Sequence, residues 1–440
     1  MIPHERWRHL WLAALTASAC IGPGLSHGKV YLFHVVLVLA WAWLLLRDRV
    51  GTFERLKQLE APVRWFLLVF AGWALLGLAW APDHSSAVAA IIRAFMGYGL
   101  LLALVLLVRD RRHFMGIATV AGITLGAELV LDLFEVFTPM RWPISRYSEI
   151  AHLFGRPNDL FELSSDPKVA AYLNTSPTGF HWNPNDMCVC VMALVPFAWQ
   201  WSRRWLGMLV TLAVLLVVIA AGARLIYLAL GMMAVAGIYF SRSRWSAVAL
   251  LATMVLLSTN MFRSSYSSEK KLREVQVFSR MLVGADVDKA QLQRLGDLDK
   301  PEGSTGDRKA LLRLGLRSVK DTRGLGLGMG GASPYLAEHW ESDRRPVTDL
   351  HNWWIEVLAE GGILLFAAYL LWLGWLSWGA WKAHRTGCEP LAAPLLLLLV
   401  GFVPAAIAPS SIAYLLPMYV FLALLILTRD PSFHARPEAG

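Results

Sequence analysis

The sequence predicts an all-α polytopic membrane protein of about twelve transmembrane helices, with a long outer loop containing an amphipathic helix. Three observations predict it. Of 440 residues, 56% are hydrophobic and 17% charged, against roughly 25% charged in an ordinary soluble chain. Apolar runs near the roughly 20 residues that span a bilayer recur along the whole length. Lys and Arg fall in every second connection between those runs, the bias of cytoplasmic loops. A soluble enzyme, a secreted disulfide scaffold and a disordered chain are excluded. The net charge of +9 has a topological cause, so nucleic acid is not an expected partner.

The elements follow in order. Residues 1–137 hold five helices near 10–25, 30–46, 63–80, 87–108 and 114–137. The tail Met1–His9 resembles a signal-peptide start, but no small-residue cleavage site follows, so 10–25 is read as a retained helix. Residues 138–184 form a first long loop rich in Pro, Asn, Ser and aromatics. Residues 185–259 hold four helices near 185–201, 206–222, 225–240 and 245–259. Residues 260–351 form the larger outer loop. Residues 352–440 hold helices near 352–379, 391–408 and 412–428, then a tail. The basic connections carry Arg6 and Arg8; Arg47, Arg49, Arg55, Lys57 and Arg64; Arg109, Arg111 and Arg112; Arg203 and Arg204; Arg242 and Arg244; and Lys382 with Arg385. The alternate short connections carry only Lys29. Both termini are therefore expected in the cytoplasm and both long loops outside. Loops of this length are usually functional or disordered. They do not occupy equivalent positions of two halves, which argues against a repeat-built transporter. Cys20, Cys188 and Cys190 lie in apolar runs without metal-ligand spacing and read as packing; Cys388 lies in a short basic loop.

Chemistry concentrates at the outer boundary. In Gly303–Gly331, Ser304 or Thr305 can cap a helix with Asp307 in its first turn. Leu311, Leu312, Leu316 and Val319 share one face, and Lys309, Arg313, Arg317 and Lys320 another, as in a helix lying on lipid headgroups. Arg308 begins it, where a guanidinium and helix N–H groups can together hold phosphate; the basic stripe either joins in that task or only binds anionic headgroups. Gly326-x-Gly328-x-x-Gly331 lacks the strand of a dinucleotide fingerprint and reads as a flexible turn back to the membrane. The pairs Asp286/Asp288 and Asp297/Asp299 lack a ligand constellation, so no metal is expected. His351 opens the next helix before the interfacial pair Trp353 and Trp354; it is either a proton acceptor or an interfacial cap. Glu356 and Glu360, one turn apart at membrane depth, need partners, and one could support an imidazolium. Arg224 lies between apolar runs and should face a polar cavity or an anion. Arg93 is similar, and is expected to pair with one of Glu128, Asp132 and Glu135, which share a helix face. Asn183, Asn185 and Asp186 offer surface hydrogen bonds, with Asn185 or Asp186 as candidate caps.

Several of these pieces, in this order, resemble the O-antigen ligase and polymerase superfamily of bacterial envelopes. They are Gly179-x-x-x-Asn183-x-Asn185, Gly222-Ala223-Arg224, Gly306-Asp307-Arg308 with its downstream glycines, and His351-Asn352 followed by Leu358, Glu360, Gly361 and Gly362. Ala223 stands where the family often has Ser, and Leu350 where Pro often precedes the His-Asn pair. The resemblance implies a metal-independent, inverting glycosyltransferase of the membrane-embedded GT-C type, without a cofactor, active at the periplasmic face of the inner membrane. The donor would be a polysaccharide on undecaprenyl pyrophosphate, and the acceptor a sugar hydroxyl of lipid A–core oligosaccharide, both met at the membrane lipid surface. Pyrophosphate is a good leaving group, so the site needs a base for the acceptor hydroxyl and cations for the departing charge. His351 is the candidate base; Arg224 and Arg308 are the candidate cations. Arg93, Arg313, Arg317, Asn183, Asn185, Asn352, Glu356 and Glu360 are candidate supporting residues. An O-antigen polymerase or a protein O-oligosaccharyltransferase would share the donor. A lipid or sugar transporter would instead show charges through the membrane midplane.

Overall fold

The computed structural model describes residues 3–138, 140–156, 176–201, 203–241, 244–263, 303–340, 349–387, 389–409 and 411–430. Helices come in the order α1 (Pro3–Ile21), α2 (Leu32–Leu46), α3 (Arg49–Gln58), α4 (Ala61–Leu76), α5 (His84–Leu107) and α6 (Arg111–Phe137). There follow α7 (Pro184–Met192), α8 (Leu194–Trp201), α9 (Arg204–Ala220), α10 (Arg224–Phe240) and α11 (Arg244–Arg263). The last are α12 (Gly303–Asp321), α13 (Ala332–His339), α14 (Trp353–Thr386), α15 (Ala392–Ala405) and α16 (Leu416–Leu427). Among the described residues the sheet is one small antiparallel hairpin, β1 (Ser26–His27) with β2 (Val30–Tyr31). The chain is an all-α membrane protein: Ala61–Ala79, α5, α6 and α14 are each long and apolar enough to cross a bilayer, and α2, α9, α10, α15 and α16 are shorter apolar helices.

Local chemistry sets the helix starts. Asp83 accepts hydrogen bonds from the Ser85 and Ser86 amides, and Asp110 from His113 N. Asn183 accepts from Asn185 N, and Asn352 from Trp354 N and Ile355 N. Each satisfies an N–H that the helix cannot. The cap at 183 lies two residues before the expected Asn185. The expected helix 185–201 is broken at Ala193 into α7 and α8. Pro196 explains the break, since it cannot donate to the Met192 carbonyl four residues back. Two further departures concern connections: 49–58 is a helix rather than a loop, and α11 runs to Arg263, inside the segment expected to be outer loop.

The exposed faces of α2, α4, α6 and α14 are apolar, with Val38 64%, Leu68 63%, Val130 68% and Leu371 75% exposed. A bilayer, and not water, suits such faces. Cys20, Cys188 and Cys190 are buried free thiols; Cys388 lies outside the described residues. One end of the bundle gathers the basic connections. There Arg8 and Arg109 both reach Asp48, at 2.8 and 3.2 Å. Arg55 donates to the Val108 carbonyl at 2.7 Å. Arg429 pairs with Glu60 at 3.0 Å and lies 3.6 Å from the Trp375 ring. The opposite, loop-rich end carries the hairpin, residues 140–156 and 176–183, α12, α13 and the start of α14.

Candidate active site at the loop-rich end

The site is assembled around a break in α14. Gly362 sits at φ 71° and ψ −179° inside the helix, a conformation open to glycine alone. The break frees backbone groups that the glycine-rich segment takes up. Leu327 N donates to Ala359 O at 2.8 Å, Gly328 N to Glu360 O at 3.0 Å, and Ile363 N to Gly324 O at 2.9 Å. Trp80 Nε1 donates to Gly326 O at 2.9 Å. The segment expected to be a flexible turn is thus a docked strand of backbone.

Docking fixes α12 beside the start of α14. Leu311, Gly315 and Ser318 face inward, with Leu311 packed among Leu350, Ala359 and Ile355. The helix therefore has three faces where the sequence suggested two. Leu311 belongs to the protein interior; Leu312 and Leu316 are exposed; Lys309, Arg313, Arg317 and Lys320 form the exposed basic face. Arg317 pairs with Asp321 at 3.6 Å. Arg308 lies between the inward face and the exposed leucines and is half-buried.

His351 is half-buried, and its backbone takes φ +49°. That conformation is uncommon for a residue with a side chain and concentrates at functional sites. Burial lowers the imidazole pKa from its ordinary value, Asp349 opposes this, and the Arg308 cation lowers it further. Burial likewise lowers that of the Arg308 guanidinium. The structure thus brings Arg308 and His351 into electrostatic contact across 43 residues of sequence. Arg224 is exposed at the first position of α10, and no contact joins it to either residue among those described.

A cavity of about 280 Å³ lies between α5, α14 and the segment 411–414. Arg93, Asp349, Glu356, Glu360, Ser333 and Ser411 line it, together with Tyr98, Trp353, Tyr369 and Tyr414. Glu356 accepts from Ser411 Oγ at 2.7 Å. Glu360 accepts from Ala332 N at 3.2 Å and so holds the first turn of α13. Neither bonds to His351 among the described residues, contrary to the suggested imidazolium support. Arg93 lies 5.0 Å from the Tyr414 ring. A smaller apolar slot shares Tyr98, Trp353, Tyr369 and Tyr419 with the cavity and continues along α14, α15 and α16.

Arg93 makes no ion pair with the α6 carboxylates among the described residues; Glu128 and Glu135 have other partners. Glu128, Asp132 and Glu135 are fully buried. Glu135 accepts from Trp142 N at 2.8 Å, Thr178 N at 2.7 Å and Gly179 N at 3.0 Å. His181 Nε2 lies 3.1 Å from Glu128 Oε1. Burial lowers the His181 pKa, the Glu128 carboxylate raises it, and the net change is upward. Glu128 and Glu135 therefore anchor the end of the first long loop, whereas both Asp132 oxygens are buried without a hydrogen-bond partner. Asn183 and Asn352 are consumed as caps.

Metal-ligand chemistry is absent from this end among the described residues; Glu5, His9 and His113, at the opposite end, are the grouping close enough to share an ion. Asp286, Asp288, Asp297 and Asp299 lie outside the described residues. Sequence reasoning missed Asp349, Ser333, Ser411 and Tyr414 as cavity residues. None has a local pattern, although Ser411 and Tyr414 stand in the short connection between two apolar runs, opposite the Trp353–Trp354 pair.

Residues 207–370 match the O-antigen ligase family. Over 420 residues the chain is 24% identical to the teichuronic acid biosynthesis protein TuaE of Bacillus subtilis strain 168, covering 90% of this chain and 78% of that protein.

Proposed function

From its membership of the O-antigen ligase superfamily, we propose that this chain is a metal-independent, inverting glycosyltransferase. It transfers polysaccharide from undecaprenyl pyrophosphate to the lipid A–core oligosaccharide at the periplasmic face of the inner membrane. In this reading the chain crosses the membrane twelve times, both termini are cytoplasmic, and the loop-rich end faces the periplasm. One observation carries it: a half-buried His351 held at φ +49° at the start of α14, within electrostatic range of the Arg308 cation. That pairing supplies both things the reaction requires. The neutral imidazole takes the proton of the acceptor hydroxyl while its oxygen attacks the anomeric carbon. The anomeric C–O bond to pyrophosphate breaks on the opposite face, and Arg308 stabilises the departing charge. Arg224 is a second candidate cation, and Arg313 and Arg317 hold α12 to anionic headgroups. A fused lipid tail on the donor accounts for a site at the membrane surface.

The experiment gives purified protein an undecaprenyl-pyrophosphate glycan and lipid A–core without ATP or added metal. A higher-mass lipopolysaccharide is expected from the wild type. His351→Ala, which still binds donor, should be slower by about 10²–10⁴-fold. Turnover by His351→Ala near the wild-type rate would remove the base assignment. The second reading is a polysaccharide polymerase with the same donor, favoured by the biosynthetic role in the name of the 24% identical relative. In that case the glycan itself, and not lipid A–core, is elongated in the same assay.

A further inference from the structure

Resting on the reading of this end as a glycan transferase, we infer that the cavity between α5 and α14 is the acceptor-sugar subsite, with Glu356 as the group that grips a sugar hydroxyl. Glu356 and Glu360 line the cavity against one guanidinium, Arg93, and Asp349 adds a third carboxylate. A pyrophosphate would find no excess of positive charge there, because Asp349 alone offsets Arg93. Arg308 and His351 do not line the cavity, although Asp349, Leu350 and Trp353 on either side of His351 do. Donor and acceptor therefore divide around one turn of chain: anion toward Arg308, uncharged hydroxyls into the cavity.

The second observation is an unsatisfied oxygen. Glu356 Oε1 takes the Ser411 hydroxyl, but Glu356 Oε2 is shielded from solvent and has no hydrogen-bond partner. Arg93, though it lines the same cavity, makes no ion pair with it among the described residues and sits over Tyr414 instead. A buried carboxylate oxygen in a native protein is expected to accept a hydrogen bond. A sugar hydroxyl, which both donates and accepts, supplies the missing partner whether the carboxyl is ionised or protonated. The surrounding Tyr98, Trp353, Tyr369 and Tyr414 add the apolar faces that, with a few convergent polar groups, make up a small-molecule site. The volume of about 280 Å³ suits one or two sugar rings rather than a polysaccharide. The hydroxyl can come from lipid A–core or from the end of a growing glycan.

The test measures binding to purified protein in nanodiscs with three probes: undecaprenyl pyrophosphate, lipid A–core, and the repeat-unit oligosaccharide free of pyrophosphate. Glu356→Gln keeps the shape and removes the charged acceptor. Ala89→Leu narrows the cavity from an exposed position on its rim, so it does not depend on Glu356 variants folding. Both are expected to weaken whichever glycan the wild type binds by about tenfold or more, and to leave undecaprenyl pyrophosphate within twofold. Arg308→Ala should do the reverse. Loss of undecaprenyl pyrophosphate binding in Glu356→Gln, or unchanged glycan binding in both cavity variants, would overturn the assignment. Transfer by the wild type is scored in parallel. Its absence counts against the proposed function, whereas the pattern of lost binding judges the cavity alone.

Discussion

Replacing Gly326 by alanine should disable the enzyme from a position that touches no substrate. Gly326 has φ +83°, and an added Cβ would stand 2.5 Å from Glu360 O and closer still to Gly362 N. Both are backbone atoms of α14 and cannot swing aside as a side chain would. The left-handed conformation costs an L-residue about 1–2 kcal/mol, and forcing well-packed groups apart costs about 1–3 kcal/mol more. The hydrogen bonds from Leu327 and Gly328 to α14 total less than this, at about 0.5–1.5 kcal/mol each. The segment should therefore lift off, and α12, which it ties to α14, should carry Arg308 away from His351. The assay is hydrogen exchange over 324–331 together with transfer rate at saturating donor. Faster exchange and a rate at least about 30-fold lower are expected, since 2 kcal/mol is worth roughly that factor. Gly374→Ala, also in α14 but with nothing within 4 Å of the added atom, is the control and should be near neutral. A Gly326→Ala protein with wild-type exchange and rate would refute the docking argument.

Four other outcomes are expected. Because burial and Arg308 both lower the His351 pKa, the acid limb of kcat/KM should lie below the ordinary histidine value of about 6.5; activity is full above that limb and lost as pH falls through it. Arg308→Ala should move the limb upward and Arg308→Lys should not, so an unmoved limb in Arg308→Ala would disconnect the two residues. His339 is stacked on Tyr335 at 4.2 Å with Nδ1 3.0 Å from the Tyr335 carbonyl; His339→Ala should keep most activity, and a loss equal to that of His351→Ala would show the wrong histidine was chosen. Single cysteines at Ser267 and Ser304 should react with a membrane-impermeant thiol reagent in cells with a permeable outer membrane, and protection of both would invert the topology. Excess EDTA should leave transfer intact, as should Asp286→Ala with Asp288→Ala; chelator inhibition reversed by magnesium would end the metal-free mechanism.

The apolar runs were legible because lipid contact demands them residue by residue, and each of the twelve placed runs holds helix. What stayed hidden depends on partners distant in sequence. The period of Glu128, Asp132 and Glu135 showed that they share a face, but not that Glu135 takes amides, and Glu128 a histidine, at 142–181. Arg93 was assigned to them because a charge in a span needs company, and periodicity cannot name which. The glycines at 324–331 announced unusual backbone; only Gly361-Gly362, over 30 residues later, explains its purpose. Asn185 and Asp186 were the caps expected on paper, and Pro184 at the first helical position decides for Asn183 instead. Arg308 and His351 were joined by family resemblance before the fold placed them within electrostatic range.

The buried carboxylates of α6 also bear on how the chain is made. Helix α6 leaves the ribosome some forty residues before Thr178 and Gly179, whose amides satisfy Glu135. An acidic side chain in a span disfavours insertion, by about 2.5–3.5 kcal/mol at the centre and less toward an end, so three of them in the second half of α6 weaken it as a span. Retention then waits on residues 176–183 packing over its end. The same contacts that hold the finished loop thus act as a checkpoint in biogenesis: a chain truncated before residue 176 lacks them, and its α6 is left for membrane quality control to recognise.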